Sequence, residues 1–193
     1  MKICIFGASS NRLDDAYFEA AEELGRCIAA GGDTLVFGGG ADGLMGACAR
    51  GAKERGGRLI GIAPKLFDEP GFLLQDCDEF LMTGTMAERK EQMLQLSDAF
   101  IALPGGIGTM DEFFETITLK QLGLAYGPLV LLNTNGFYGP LMAFLTGMAE
   151  GGFMSAACLD LVHCASTPEE AVRAAHLPEE AKGSIRRLED YTG

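Results

Sequence analysis

The chain has 193 residues and a mass of 20.5 kDa, and 48% of its residues are hydrophobic. This length and this apolar content suit one domain with a single core, and they exclude a chain that is disordered throughout. The 27 acidic residues against 15 basic ones give a formal charge of −12, which disfavours the basic surface that nucleic-acid binding requires.

Short apolar segments alternate with segments of helical periodicity along most of the chain. The predicted strands cover residues 2–6, 34–37, 59–63, 80–83, 99–103, 129–133 and 161–164. The predicted helices cover residues 14–30, 44–55, 85–97, 109–124, 137–150 and 168–175. Strands that are apolar throughout and separated by helices indicate a parallel sheet with helices on both faces. We therefore predict a doubly wound, Rossmann-like α/β fold, mostly parallel, in one domain over residues 1–176.

Two segments fall outside this alternation: an irregular insertion at residues 64–78 and a charged tail at residues 177–193. No apolar run approaches the roughly 18 residues of a membrane-spanning helix, and no signal-peptide core follows Met1. The six cysteines contain no Cys-x-x-Cys pair and there are only two histidines, so no metal site is expected. These features predict a cytoplasmic protein that binds no membrane.

Three unusual loops, of which the second and third are rich in glycine, follow predicted strands, which is where ligands bind in doubly wound sheets. They cover residues 7–12, 38–46 and 104–109. The second loop matches Gly-x-Gly-x-x-Gly through Gly38, Gly40 and Gly43. However, the next strand does not end on the acidic residue that a dinucleotide site would need. These glycines serve either a ligand or only a tight turn and close helix packing.

The third loop has the features of a phosphate site. Gly105, Gly106 and Gly108 free the backbone amides to face one anion where the helix predicted to start at Thr109 has its positive end. A structural explanation competes with this one, because Thr109 and Glu112 have the spacing of a capping box. Spacing alone favours that capping role for Glu112, although capping requires none of the three glycines.

The helix predicted at residues 85–97 places two cations close to its apolar face. Its inward stripe consists of Met86, Met93, Leu94 and Leu96, and Arg89 and Lys90 lie near the centre of that stripe. Either the apolar stems of the two cations run along the edge of the core, or a buried anion compensates their charge. Glu112 or a ligand phosphate could be that anion.

Taken together, these residues resemble a known family. The glycine loop at 38–46, the run Met86-Ala87-Glu88-Arg89-Lys90, and the Pro-Gly-Gly-x-Gly-Thr-x-x-Glu motif from Pro104 to Glu112 are similar to the signature of the LONELY GUY family. Its members are cytokinin riboside 5′-monophosphate phosphoribohydrolases that were long labelled lysine decarboxylases. The resemblance runs from about residue 2 to 176. One departure is Ala87, where members often carry His, and it bears on which base is preferred.

The resemblance implies a hydrolase that cleaves the N-glycosidic bond of a nucleoside 5′-monophosphate and needs no cofactor. The substrate would be cytokinin riboside 5′-monophosphate, AMP or both, and the products free base and ribose 5-phosphate. Such cleavage passes through an oxocarbenium-like state, which a carboxylate stabilises or supplies with an activated water. The implied catalytic residues are Glu112 and Arg89. Whether Arg89 orients Glu112 and the substrate or stabilises the leaving base is left open.

The resemblance also implies a set of substrate-binding residues. Residues 105–109 would hold the 5′-phosphate, and the loops containing Ser9, Gly39 and Gly40 would close around the ribose and base. The full predicted set is Ser9, Gly39, Gly40, Met86, Lys90, Gly105, Gly106, Gly108 and Thr109.

Two alternative functions stay open, and one further expectation concerns assembly. A noncatalytic nucleotide-binding or sensing protein on the same fold would keep the glycine loops without needing Glu112 together with Arg89. A nucleic-acid-binding relative is opposed by the net charge. Apolar residues spread around much of the helix predicted at 109–124, and members of the family associate, so a homodimer or higher homo-oligomer is expected.

Overall fold

A computed structural model of the protein describes residues 1–178. Within them the strands are β1 Lys2–Phe6, β2 Thr34–Phe37, β3 Arg58–Pro64, β4 Glu79–Thr83, β5 Ala99–Ala102, β6 Leu129–Leu132 and β7 Val162–Ala165. The α-helices are α1 Asp15–Ala30, α2 Gly43–Glu54, α3 Met86–Leu96, α4 Ile107–Gln121, α5 Gly139–Glu150 and α6 Pro168–Ala175. Short 3₁₀ turns form at Lys65–Phe67, Thr134–Gly136 and Ala156–Leu161. The predicted tail lies outside the described residues from residue 179 onward.

The strands form one parallel sheet in the order β4-β3-β2-β1-β5-β6-β7. Strand β1 lies in the middle, where Ile3 pairs with Leu35 of β2 on one side and with Ala99 of β5 on the other. The chain therefore winds outward from β1 in both directions, which confirms the predicted doubly wound fold. Loops that leave β1 and β5 diverge to opposite faces and open a crevice between them.

Each face of the sheet carries its own core. Alternate residues of a strand point to opposite faces, so Ile3 joins the core under α1, α2 and α6, whereas Cys4 joins the core under α3, α4 and α5. Both side chains are fully buried. Helices on both faces are what the uninterrupted apolar strands predicted. Within the described residues, no helix combines the length and the apolar character needed to cross a membrane.

Helices α1 and α2 pack with their backbones almost in contact. A Cβ atom at Gly25 would overlap the carbonyl oxygen of Cys48, and one at Gly51 would overlap that of Glu22. These glycines therefore let the two helices approach each other more closely than larger residues would allow. Because α2 begins directly after the loop at the end of β2, this packing also positions that loop.

Three local expectations were wrong. Helix α4 begins at Ile107 with Gly106 as its N-cap, two residues before Thr109, so no capping box forms between Thr109 and Glu112. The helix can start earlier because Met110 N–H already donates to the Gly106 carbonyl. Met86 is 42% exposed rather than buried in the stripe, because it lies at the first position of α3. Strand β7 begins at Val162, one residue later than predicted, because Leu161 is the last residue of a 3₁₀ turn.

Candidate active site

A cavity of about 450 Å³ opens at the carboxyl ends of the central strands. This volume is within the range of small-molecule sites, and the position is the crevice where the strand order reverses. Its wall is formed by Gly7, Ala8, Ser9, Gly38, Gly40, Asp42, Met45, Phe67, Phe72, Met86, Arg89, Gly106, Ile107, Gly108, Thr109, Asp111 and Glu112. All three loops singled out in the sequence contribute to it.

A buried ion pair forms part of the cavity wall. Nη1 of Arg89 lies 2.6 Å from Oε1 of Glu112, and the two side chains are only 7% and 10% exposed. Nε of Arg89 also donates to the carbonyl oxygen of Ile62 at 3.2 Å. Arg89 comes from the first turn of α3 and Glu112 from the second turn of α4. Arg89, which the sequence placed near the apolar face of its helix, therefore has a carboxylate partner that offsets the cost of burying its charge.

Burial controls the protonation of Glu112. Desolvation raises the pKa of its carboxyl above the ordinary value of 4.5, while the charge of Arg89 and its hydrogen bond oppose that rise. The effect of burial on this pKa is the larger one, because water is excluded from most of the side chain. A carboxyl group with a raised pKa on the wall of a cavity is suited to exchanging a proton with a bound molecule.

The third loop and the start of α4 form an anion-binding geometry. Residues 106–109 line the cavity, and the first amides of a helix have no acceptor within that helix. Those amides and the helix dipole favour an anion at this point. Gly105 does not line the cavity. A Cβ atom there would overlap the hydroxyl of Thr109, so Gly105 makes room for that side chain.

In the second loop, two glycines have structural explanations. Gly39 has a φ of 74°, and a Cβ atom there would clash with the Phe80 ring. Gly43 has a φ of 63° and lies against the backbone of Ala8, whose carbonyl accepts from Leu44 N–H at 2.8 Å. Of the two, only Gly43 belongs to the Gly-x-Gly-x-x-Gly match, and there the structural explanation holds, because a side chain would separate the first two loops.

Comparison with known proteins identifies the family. The family model described as "Possible lysine decarboxylase" matches residues 45–175. A probable cytokinin riboside 5′-monophosphate phosphoribohydrolase of Oryza sativa subsp. japonica is 38% identical over 169 residues, which are 88% of this chain and 80% of that protein. A cytokinin riboside 5′-monophosphate phosphoribohydrolase of Arabidopsis thaliana is 38% identical over 172 residues, covering 89% and 80%. The chain belongs to the LONELY GUY family.

Solved structures share the fold. A molybdenum cofactor carrier protein of Chlamydomonas reinhardtii superposes with a TM-score of 0.69 at 28% identity, over 90% of this chain and 94% of that one. A molybdenum cofactor binding protein of Rippkaea orientalis gives a TM-score of 0.66 at 25% identity, over 89% and 91%. The α/β architecture of this LONELY GUY chain is thus found in proteins whose names describe cofactor binding.

Most of the predicted site residues of this LONELY GUY chain meet at the cavity. Those that line it are Ser9, Gly40, Met86, Arg89, Gly106, Gly108, Thr109 and Glu112. Gly39, Gly105 and Lys90 do not line it. Nζ of Lys90 instead lies 2.9 Å from Asp111 and 3.0 Å from Glu115, and the hydrogen bond to Asp111 raises the pKa of Lys90. Lys90 therefore ties α3 to α4 beside the Arg89–Glu112 pair.

Sequence reasoning missed an aromatic wall. Phe67 and Phe72, from the irregular insertion, stack with ring centroids 5.0 Å apart and both line the cavity. The Phe72 carbonyl accepts from Ala41 N–H at 3.0 Å, and Leu74 N–H donates to Gly39 at 2.8 Å, so the insertion is attached to the second glycine loop. The available signal was two phenylalanines in a segment that begins at the carboxyl end of a predicted strand.

Proposed function

We propose that the chain hydrolyses the N-glycosidic bond of a nucleoside 5′-monophosphate, with cytokinin riboside 5′-monophosphate, AMP or both as substrates. The products are the free base and ribose 5-phosphate. The observation that carries the proposal is the buried Arg89–Glu112 pair in the wall of the cavity. The names of the relatives in rice and Arabidopsis support the same chemistry.

In this reaction the C1′–N bond breaks with its electron pair going to the base, and positive charge develops on the ribose. The oxygen of a water molecule adds to C1′. Glu112 stabilises the developing cation and accepts the proton that the water loses. The departing base takes up a proton from solvent, and Glu112 afterwards returns its own proton to solvent, so that no net proton is gained or lost. Arg89 holds Glu112 in place and favours its ionised form, since the guanidinium opposes the effect of burial on the pKa.

The 5′-phosphate is assigned to the amino end of α4. Arg89 is the one basic side chain on the cavity wall formed by the described residues, and Glu112 already neutralises it. Attraction for a phosphate therefore comes from the amides of residues 106–109 and from the helix dipole. Binding the phosphate away from the reacting bond supplies energy that positions the sugar.

The base is assigned to the apolar part of the cavity wall. Phe67 and Phe72 offer ring faces there, and Met45 and Met86 add flexible apolar surface. Flat aromatic bases gain from contact with such rings. An apolar substituent on the base would also be taken out of water by these four side chains.

The test is to incubate the protein with AMP, N6-isopentenyl-AMP and adenosine and to separate the released base by chromatography. We expect base and ribose 5-phosphate from one or both nucleotides, much slower release from adenosine, and competition by inorganic phosphate. Equal turnover of adenosine and AMP would contradict the phosphate assignment. Nucleotide binding with no release of base would instead support the noncatalytic alternative.

We also propose that the chain forms a homodimer or higher homo-oligomer. Phe113 and Ile117 of α4 are buried within one chain, so fewer apolar side chains of this helix are available for an interface than the sequence suggested. Exposed apolar side chains lie just beyond α4, where Leu122, Leu124 and Tyr126 are 41%, 69% and 61% exposed. Surfaces of this kind are typical of interfaces. A mass near 20.5 kDa by light scattering at micromolar concentration would contradict this proposal.

A further inference from the structure

Gly38, the first glycine of the second loop, has no conformational reason to be glycine. Its φ lies outside the left-handed region, unlike those of Gly39 and Gly43, so an L-residue could adopt its backbone conformation. What distinguishes Gly38 is its neighbour. A Cβ atom there would overlap Nη2 of Arg89 and lie 3.3 Å from Cζ of the same guanidinium.

Arg89 has little freedom to avoid such a clash. Its side chain is 7% exposed, its Nε donates to the Ile62 carbonyl at 3.2 Å, and its Nη1 lies 2.6 Å from Glu112. With Nε and Nη1 bound, the planar guanidinium fixes the position of Nη2. That third nitrogen occupies the space next to Cα of Gly38.

We propose that Gly38 is a positioning residue: the absence of its side chain creates the slot that holds the Arg89 guanidinium against Glu112. A methyl group in the slot displaces the guanidinium and breaks its contact with Glu112. The backbone can stay in place, because the displaced group is the end of a side chain. In its effect on turnover, this inference rests on the proposed hydrolase function.

The first test is Gly38→Ala in two backgrounds. With Arg89 present, we expect kcat to fall by about tenfold to a hundredfold, which is less than the roughly 10²–10³-fold cost of removing a charge-stabilising group outright, because Arg89 is displaced and not lost. In the Arg89→Lys background, which lacks Nη2, adding Gly38→Ala should change kcat by less than about threefold, because coupled residues are not additive. A matched control is Gly147→Ala, at an exposed position of α5 with open space around it, which should leave kcat unchanged.

Two kinetic outcomes would overturn the inference. If Gly38→Ala lowers kcat by the same factor in both backgrounds, the methyl group acts on the substrate and not on Arg89. If Gly38→Ala is fully active, the slot is not needed. If the single variant Gly38→Ala does not fold, the inference requires that the double variant Gly38→Ala with Arg89→Lys does fold. A double variant that also fails to fold would refute the slot.

A crystal structure of Gly38→Ala separates this inference from the proposed function. We expect Nη1 of Arg89 to have moved out of hydrogen-bonding distance of Glu112, whether or not the protein cleaves nucleotides. An unmoved Arg89–Glu112 pair would overturn the positioning role. Absence of base release by the unaltered protein, together with a displaced Arg89 in the variant, would reject the hydrolase proposal and keep the slot.

Discussion

Replacing Glu112 with glutamine removes one charge from the buried pair and keeps the shape of the side chain. Two unit charges about 4 Å apart attract each other by about 4 kcal/mol at an effective dielectric constant of about 20. The variant also avoids the cost of desolvating the carboxylate, and the glutamine oxygen can still accept from Arg89. Removing one partner of a buried pair outright costs about 3–5 kcal/mol, because the other charge is left uncompensated. Since the hydrogen bond to Arg89 is kept here, we expect the free energy of unfolding to fall by less, roughly 2 kcal/mol. For a chain of this size, that lowers Tm by about 4–8 °C.

The same substitution tests the chemistry. Glutamine can neither accept a proton as a carboxylate does nor stabilise a developing cation by charge, so turnover should fall on the order of 10²-fold or more. The measurements are base release from AMP and N6-isopentenyl-AMP and a thermal unfolding scan. A folded and fully active Glu112→Gln protein would refute the catalytic role. An unchanged Tm would refute the buried ion pair.

Glu115→Gln is the matched control, since Glu115 lies on the same helix, three residues after Glu112. Its side chain is 36% exposed and its partner Lys90 keeps a second carboxylate, Asp111, at 2.9 Å. Partly exposed ion pairs of this kind contribute little to stability. We expect near-normal turnover and Tm, so that a large effect at Glu112 can be attributed to burial and position and not to the loss of a negative charge from α4.

Three further predictions follow from the geometry. Burial raises the pKa of Glu112 in the ligand-free protein above 4.5, and the ionised form is the active one. The acid limb of the kcat/KM profile, which reports the free enzyme, should therefore have its midpoint above pH 4.5; a midpoint at or below that value would contradict the assignment. Phe72→Ala should raise KM for N6-isopentenyl-AMP about tenfold more than for AMP, and equal effects would remove Phe72 from the base side of the cavity. Gly51→Ala should lower the free energy of unfolding by about 1–3 kcal/mol, because its Cβ would overlap the backbone of Glu22; a thermal scan showing no change would mean that α1 and α2 can separate without cost.

The positions of the elements were largely predictable from local patterns. Strand β1 was predicted at residues 2–6 and observed at Lys2–Phe6, and α6 was predicted with its observed bounds. A run of apolar residues closed by glycine encodes a buried strand whatever lies around it, and helical periodicity encodes an amphipathic helix in the same way. The three loops that line the cavity were found because strand ends in such a sheet meet at one edge.

The role of Glu112 could not be predicted from the spacing of neighbouring residues. Its spacing from Thr109 favoured a cap, yet α4 starts at Ile107 and the carboxylate binds Arg89, 23 residues earlier in the chain. A capping box depends on four consecutive residues, whereas an ion pair depends on where two helices lie. The helical wheel of residues 85–97 did place Arg89 near the core. It placed Lys90 there as well, although the side chain of Lys90 reaches outward to Asp111.

The order of strands and helices, the loops at the strand ends and the family of the chain could all be derived from the amino-acid sequence. These are properties of short segments, because backbone conformation and the burial of one face depend mainly on neighbouring residues. The folded arrangement was needed to show that Glu112 pairs with Arg89, that Phe67 and Phe72 line the same cavity, and that Gly38 leaves room for a guanidinium. Each of these depends on distances between segments far apart in the chain, and those distances are set by how the helices pack on the two faces of the sheet.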